Sequence, residues 1–297
     1  MTNILILGNG YVGKHLYNHL SKNNNLHVSI VGKNDVNYFD QIALKKYIRE
    51  MYNLFHNVAD DFIILNCSGF TGRPNVDECE IKKELCLKYN TELPVFLSNF
   101  CKRNKLWLIN VSSGCIYNGY EKDFTELDVP NFGMYSNASS FYSKCKHLNE
   151  ILVNSDVTTN LRIRMPFCSY NSDRNIICKI LQYDNLISYD NSLTSLEDFS
   201  VFIETFINNL HYRNNPGIYN VVNPGRVSSK QIVQLLSSNN LINKNWNFVD
   251  LKDIKTKANR SNCVLSDAKI ADMGLQLPPA MASLESSIKE LANELGN

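Results

Sequence analysis

Tyr142 and Lys146 stand four residues apart in Tyr142-Ser143-Lys144-Cys145-Lys146, a spacing that puts both side chains on one face of a helix. An ammonium beside a phenol favours the ionised form. The phenol is then a good proton donor to a carbonyl that is accepting hydride. On its own such a pair marks only a helix surface. It gains meaning from Val111-Ser112-Ser113-Gly114, an apolar run that ends in two hydroxyls. Ser113 is the candidate to hydrogen-bond the reacting carbonyl, and one of the two serines is an ordinary turn hydroxyl.

A carbonyl reduction needs a hydride source, and the chain offers a place for one. Gly8-Asn9-Gly10-Tyr11-Val12-Gly13 fits G-x-G-x-x-G between the apolar run Ile4–Leu7 and the helical spacing of Val12, Leu16 and Leu20. Glycines there let the backbone turn tightly and approach a pyrophosphate, which the N–H groups of the following helix then bind. Gly8, Asn9, Gly10, Tyr11, Val12 and Gly13 are therefore the expected cofactor loop. After the next strand, Val31 is followed by Gly32 and Lys33 rather than by an acid. A lysine suits a 2′-phosphate and so NADPH, while Asp35 keeps NADH open.

These residues need elements to hold them. Strand-like runs at Ile4–Leu7, Val28–Val31, Phe62–Asn66, Trp107–Val111 and Leu161–Met165 alternate with helical patterns at Asp40–Phe55, Glu80–Cys101 (with Pro94 as a kink or break) and Ser139–Val153. That alternation predicts βαβ units and a parallel sheet covered on both faces. The second half is less regular. It has a helix at Asp198–Leu210, a strand at Gly217–Val222, a helix at Ser229–Ser237 capped by Ser228, and a polar, loop-rich stretch at Asn239–Lys257. The expected fold class is α/β, a Rossmann-type doubly wound parallel sheet with a smaller C-terminal α/β substrate-binding cap. Residues 1–165 form the cofactor domain, 190–222 return to it, and 166–189 with 223–297 make up most of the cap.

Composition narrows the function. A formal net charge of +1 over 297 residues gives no bulk field for nucleic acid or an anionic membrane. The nine cysteines include no Cys-x-x-Cys pair, which argues against a zinc ribbon or a thioredoxin-type pair. Met1–Leu7 is apolar without a basic leader and reads as a strand, not an export signal. Free thiols in a reducing, cytoplasmic setting are expected. His15 and His19 lie four apart, as metal ligands sometimes do, yet no carboxylate is expected to complete a site, the helix is expected to pack beside the cofactor, and no metal is expected.

Taken in order, the glycine loop, Cys67-Ser68-Gly69 after the fourth strand, Ser113, Tyr142 and Lys146 resemble the extended short-chain dehydrogenase/reductase superfamily. One branch is closer. Thr71-Gly72-Arg73-Pro74-Asn75-Val76-Asp77, Ser113-Gly114-Cys115-Ile116, Phe141-Tyr142-Ser143-Lys144, Leu161-Arg162-Ile163-Arg164-Met165-Pro166, Arg174-Asn175, Pro216-Gly217-Ile218-Tyr219-Asn220 and Arg260-Ser261-Asn262 resemble the nucleotide-rhamnose synthase/epimerase-reductases, relatives of dTDP-4-dehydrorhamnose reductase. That family spaces its loop G-x-x-G-x-x-G, and the first gap here is one residue shorter.

The resemblance implies an NADPH-dependent 3,5-epimerase/4-reductase that turns UDP-4-keto-6-deoxy-D-glucose into UDP-L-rhamnose. A separate 4,6-dehydratase acts upstream, and a homodimer remains open. It implies Cys115 as the base that removes the proton α to the ketone, with Lys179 as its partner. Cys67, Ser68, Gly69 and Met165 join the cofactor set, to which Tyr142 and Lys146 also belong, the Lys146 ammonium holding the ribose. Thr71, Arg73, Asn75 and Asn175 join the substrate set, and Arg260 is the diphosphate ligand. The alternatives are a 4-keto reductase alone, which Cys115 and Lys179 argue against, and a non-catalytic NADP-binding subunit like the regulatory beta subunit of methionine adenosyltransferase. Intact Ser113, Tyr142 and Lys146 argue against the latter.

Overall fold

The computed structural model describes residues 2–55, 61–239, 241 and 244–296. Six strands form one fully parallel sheet: β1 (Thr2–Leu7), β2 (Leu26–Val31), β3 (Asp61–Asn66), β4 (Trp107–Ser113), β5 (Thr158–Ile163) and β6 (Ile218–Asn220), in the order β2-β1-β3-β4-β5-β6. The run before Cys67 is thus the third strand, not the fourth. Among the described residues, the segment after β2 turns back at Asp35–Asp40 without adding an edge strand. The chain reverses its direction of travel across the sheet between β1 and β3, the crevice in which such sheets bind ligands.

The apolar strand interiors dictate burial on both faces. Ile4, Ile6, Ile63, Leu65, Ile109 and Leu161 pack against helices α1 (Tyr11–Leu20) and α5 (Leu196–Ile207). Leu5, Leu7, Ile64 and Leu108 face the other way, against α2 (Gln41–Phe55) and α3 (Leu93–Asn104). The remaining helix of this layer, α4 (Phe141–Leu152), carries Tyr142 and Lys146. A separate apolar cluster joins Phe167, Ile177, Ile180, Val227 and Ile232 to Ala280, Leu284, Ile288 and Leu291. Those last four recur at helical spacing along the terminal helix Ala280–Gly296.

Two polar devices set register inside this apolar frame. Asn66, Asn110 and Asn160 stand side by side on β3, β4 and β5, and each amide donates to the next, at 2.8 and 2.7 Å. Arg162 on β5 and Glu150 on α4 form a fully buried bidentate pair (2.7 Å from Nη2 to Oε2), with Tyr117 on a further guanidinium nitrogen. Removing one partner of a buried pair leaves an uncompensated charge. Glu150→Ala should therefore destabilise the fold by about 3 kcal/mol or more, read as a lower urea midpoint. A loss under ~1 kcal/mol, the range of exposed ion pairs, would contradict it.

The predicted Glu80–Cys101 helix is broken at Lys82, where ψ is 55°, and is widened rather than broken just before Pro94, which lacks an N–H to donate. Short helices at Asp77–Ile81 and Lys83–Leu87 are followed by a π-helical turn at Lys88–Glu92, and α3 then starts with Pro94 in its first turn. The turn has a use. It presents the buried Asn90, whose amide donates to the Phe70 carbonyl at 2.8 Å and accepts from the Phe70 N–H, pinning the loop after β3. In the 239–257 stretch, a short strand Asn247–Val249 and a turn of 3₁₀ helix at Leu251–Asp253 appear where only loop is expected, and residues 240, 242 and 243 lie outside the described residues.

Candidate active site

The loops after β1 and β3 meet at the crevice. Gly8 has φ +112°, and a Cβ on it would lie 2.6 Å from the Ser68 nitrogen. A Cβ on Gly13 would lie 1.9 Å from the Gly8 carbonyl oxygen, so only glycine lets α1 start so close to β1. Gly10 caps α1 without a side-chain bond and faces open space within 4 Å. The first N–H groups of α1 are thus presented to an open cradle, which fits a dinucleotide pyrophosphate. Tyr11 anchors the helix by donating its hydroxyl to the Cys168 sulfur at 3.1 Å. Val12 packs half-buried on the core, and Asn9 is exposed at the loop tip. Ser68 is held by its N–H and hydroxyl to the Asn66 side chain, so the asparagine ladder also sets the floor of the cradle. Beyond it, Gly69 leaves Lys146 Nζ 4.0 Å from where a Cβ would stand, and the half-buried Cys67 lies close enough to Lys146 to feel its charge.

Lys33 is exposed on the turn after β2. Asp35 folds back and accepts the Gly32 N–H at 2.6 Å. Its carboxylate is committed to the loop's own backbone, and the lysine is left facing solvent.

The strand end separates the two serines by the period of the β-strand. Ser112 donates to Glu150 at 2.8 Å, joining the buried ion pair. Ser113 turns the other way, accepts the Cys115 N–H at 3.2 Å and lies close enough to the Tyr142 hydroxyl to favour its ionised form. Ser140 caps α4 by accepting the Ser143 N–H at 3.1 Å, which places Tyr142 in the first turn and Lys146 one turn on. Lys146 Nζ donates to the Val111 carbonyl at 3.3 Å and sits 5.9 Å from the centre of the Tyr142 ring.

The expected lowering of the phenol pKa is not what this site does. Burial pushes Tyr142 well above the ordinary tyrosine range, the sulfur of Cys115 adds to that, and the Ser113 hydroxyl opposes it. Burial likewise lowers Lys146, against the pull of neighbouring thiols and Glu150. The phenol is therefore held protonated, as a proton donor must be at the start of a reduction.

A cavity of about 750 Å³ opens beside this pair. Cys115, Tyr142, Met165 and Lys179 all line it, as do Thr71, Asn75 and Arg260. Met165 is held at φ +39°, a costly conformation for a residue with a side chain, in the turn after β5. Lys179 comes from the helix Ile176–Gln182. Burial lowers it, with the Arg174 charge acting in the same direction and Asp173 against them. Arg260 donates to Asp77 at 2.8 Å. Asp77 stays below the usual carboxylate range although burial works against it, because Arg260 and the Ala258 N–H bond it.

Two expected substrate residues lie elsewhere. Arg73 is exposed and reaches only Asp173, at 3.6 Å. Arg174 takes its place at the cavity, donating to the Thr71 hydroxyl at 2.8 Å and the Gly72 carbonyl at 2.7 Å. Asn175 is fully buried as a helix cap. It accepts the Ile177 N–H at 3.1 Å and gives its amide to the Cys168 and Tyr170 carbonyls, which leaves nothing for a ligand. The histidine pair is also split. His19 bonds Glu204 at 2.6 Å, while His15 lies with Cys168 and Glu197 in a trio whose polar atoms fall within 4.8 Å of one another. A carboxylate therefore does approach His15. Its oxygens already accept from Ser169 and Ser195, and Cys168 holds Tyr11, so the trio serves as a polar seam between α1 and α5. Asp77, Asn90 and Arg174 order this site although none was an expected site residue, and of the three Asn90 alone stands outside the family-like stretches. The signal for Arg164 is an arginine between Ile163 and Met165, just past the end of β5.

The family model described as RmlD substrate binding domain matches residues 1–293, and the chain belongs to that family. A bifunctional dTDP-4-dehydrorhamnose 3,5-epimerase/dTDP-4-dehydrorhamnose reductase of Arabidopsis thaliana is 35% identical over 238 residues, covering 76% of this chain and 75% of its own. A trifunctional UDP-glucose 4,6-dehydratase/UDP-4-keto-6-deoxy-D-glucose 3,5-epimerase/UDP-4-keto-L-rhamnose-reductase of the same plant is 34% identical over 238 residues. The match spans only 34% of that longer protein. Among solved structures, the UDP-rhamnose synthase of Acanthamoeba polyphaga mimivirus superposes with a TM-score of 0.82 at 27% identity, covering 97% of this chain and 99% of that one.

Proposed function

We propose that the chain is an NADPH-dependent nucleotide-sugar 3,5-epimerase/4-reductase that converts UDP-4-keto-6-deoxy-D-glucose to UDP-L-rhamnose. The observation that carries this reading is that Cys115, Tyr142 and Lys179 line one cavity, with Ser113 beside Tyr142. A plain reductase needs only the hydroxyl pair and the lysine of α4. In this reading residues 1–165 with 190–222 hold the cofactor, and 166–189 with 223–297 form the substrate cap. The substrate comes from a separate 4,6-dehydratase. Nine free thiols suit a reducing, cytoplasmic setting, and among the described residues no helix is long and apolar enough to cross a membrane.

The 4-keto group acidifies the protons on C3 and C5. The Cys115 thiolate takes one onto its sulfur, the C–H electron pair forms a C=C bond to C4, and the carbonyl π pair moves onto oxygen, which Tyr142 and Ser113 hold as the enolate forms. Lys179 returns a proton to the carbon from the other side, and exchange with water resets both groups. The cofactor, when bound, supplies the hydride for C4. Tyr142 gives its proton to O4, with Lys146 beneath it, and the ketone becomes an alcohol. Arg260 and Arg174 supply positive charge for the diphosphate.

Proton exchange needs no hydride, so it isolates the first half. In D₂O without NADPH, the enzyme should wash deuterium into both C3 and C5 of the keto sugar. No incorporation leaves a reductase alone. The exposed Lys33 gives a second expectation. NADPH should support turnover better than NADH, and Lys33→Glu should narrow or reverse that preference in kcat/KM. A wild-type preference for NADH would overturn this reading of the loop.

A further inference from the structure

The chain shows how it treats a buried arginine that only holds structure. Arg162 has Glu150 as its counter-charge. Two residues on, Arg164 is as deeply buried, at 2% exposure, yet among the described residues its contacts include no carboxylate. Nη1 donates to Cys115 Sγ at 2.8 Å, Nη2 donates to Asn191 Oδ1 at 2.6 Å and to the Ser261 carbonyl, and Nε has no partner. Its own N–H is fixed to Thr194 Oγ1 at 3.0 Å, so the guanidinium is aimed rather than free. The other ionisable groups that sense Cys115 or Arg164 are Tyr142 and Lys146 from α4, Tyr120 from the strand Gly119–Phe124 and Cys263 from the strand Cys263–Leu265. A buried cation without an anion is strongly unfavourable unless an anion forms beside it. Both Arg164 and Cys115 border the cavity.

We propose that Arg164 is a positioning residue that supplies the fixed counter-charge for the anion formed on Cys115 Sγ in each epimerisation cycle. The proposal rests on the reading of Cys115 as the base. The hydrogen bond fixes the sulfur's direction as well, so that the lone pair meets the substrate carbon while the guanidinium lies behind it.

Three measurements test it. At fixed pH 7.5, iodoacetamide should alkylate Cys115, read by peptide mass, at least tenfold more slowly in Arg164→Gln than in wild type, with Arg164→Lys in between. Deuterium exchange at C3 and C5 should fall in the same order, and its rate–pH profile should move to higher pH in Arg164→Gln. Reduction of a pre-epimerised 4-keto-L-rhamnose nucleotide should stay within a few-fold, which reports that the fold survives. Independently of any turnover, Cys115→Asp should melt at a higher temperature than the isosteric Cys115→Asn at pH 8, because only the aspartate brings an anion to Arg164. Equal melting temperatures, or unchanged alkylation in Arg164→Gln, would overturn the counter-charge. Absence of exchange in the wild type overturns the base reading instead, and with it the catalytic part of this proposal.

Discussion

Tyr142→Phe should lower the rate of 4-keto reduction by about 100-fold or more, the scale of a lost general acid, while NADPH binding is largely kept. The ring packs among Cys79, Cys86 and Cys145, and phenylalanine fills that space without change. Lys146 keeps its bond to the Val111 carbonyl. Only the proton and the oxygen that hold O4 are removed. Because burial keeps the phenol protonated far above neutral pH, the wild-type rate should not fall between pH 7 and 9 through ionisation of Tyr142 itself. The check is single-turnover oxidation of NADPH by the pre-epimerised keto sugar. Near-normal turnover in the variant would place the acid on another group.

Cys115→Ser should slow deuterium exchange at C3 and C5 by about 100-fold or more, since a hydroxyl is a far weaker base than a thiolate at the same position. Lys179→Ala should slow it comparably by removing the proton donor. Burial and the Arg174 charge bring Lys179 below the ordinary lysine range. The amine form therefore appears at lower pH than in a free lysine, and exchange should decline on the alkaline side as the ammonium is lost. Reduction of the pre-epimerised sugar should suffer much less in both variants. If both positions exchange at wild-type rates in Cys115→Ser, the sulfur is only a lining group.

The βα alternation was readable because buried parallel strands leave long apolar runs, and the five strand-like runs of the first half all became sheet strands within a few residues of their expected ends. Gly8 to Gly13 was readable because glycine is demanded where φ is positive or a Cβ has no room. The terminal helix lies outside the expected elements, although Ala280, Leu284, Ile288 and Leu291 carry its period. Ser113 was the hydroxyl expected to face the site, and what turns Ser112 away is Glu150, 38 residues further on. Arg73 and Asn175 fit a motif by order along the chain, but order does not fix direction. Arg73 points to solvent, and a buried Asn at a helix start caps the helix. Cys115 and Lys179 meet only through the fold, because one follows β4 and the other rides a helix packed in the second core.

The central claim is that one carbonyl clamp serves epimerisation and reduction in turn, and product identity tests it most directly. The purified enzyme is incubated with UDP-4-keto-6-deoxy-D-glucose and NADPH, and the sugar released by acid hydrolysis is identified with its absolute configuration. L-rhamnose is the expected product. A 6-deoxy-D-hexose, reduced at C4 with C3 and C5 unchanged, would contradict the claim.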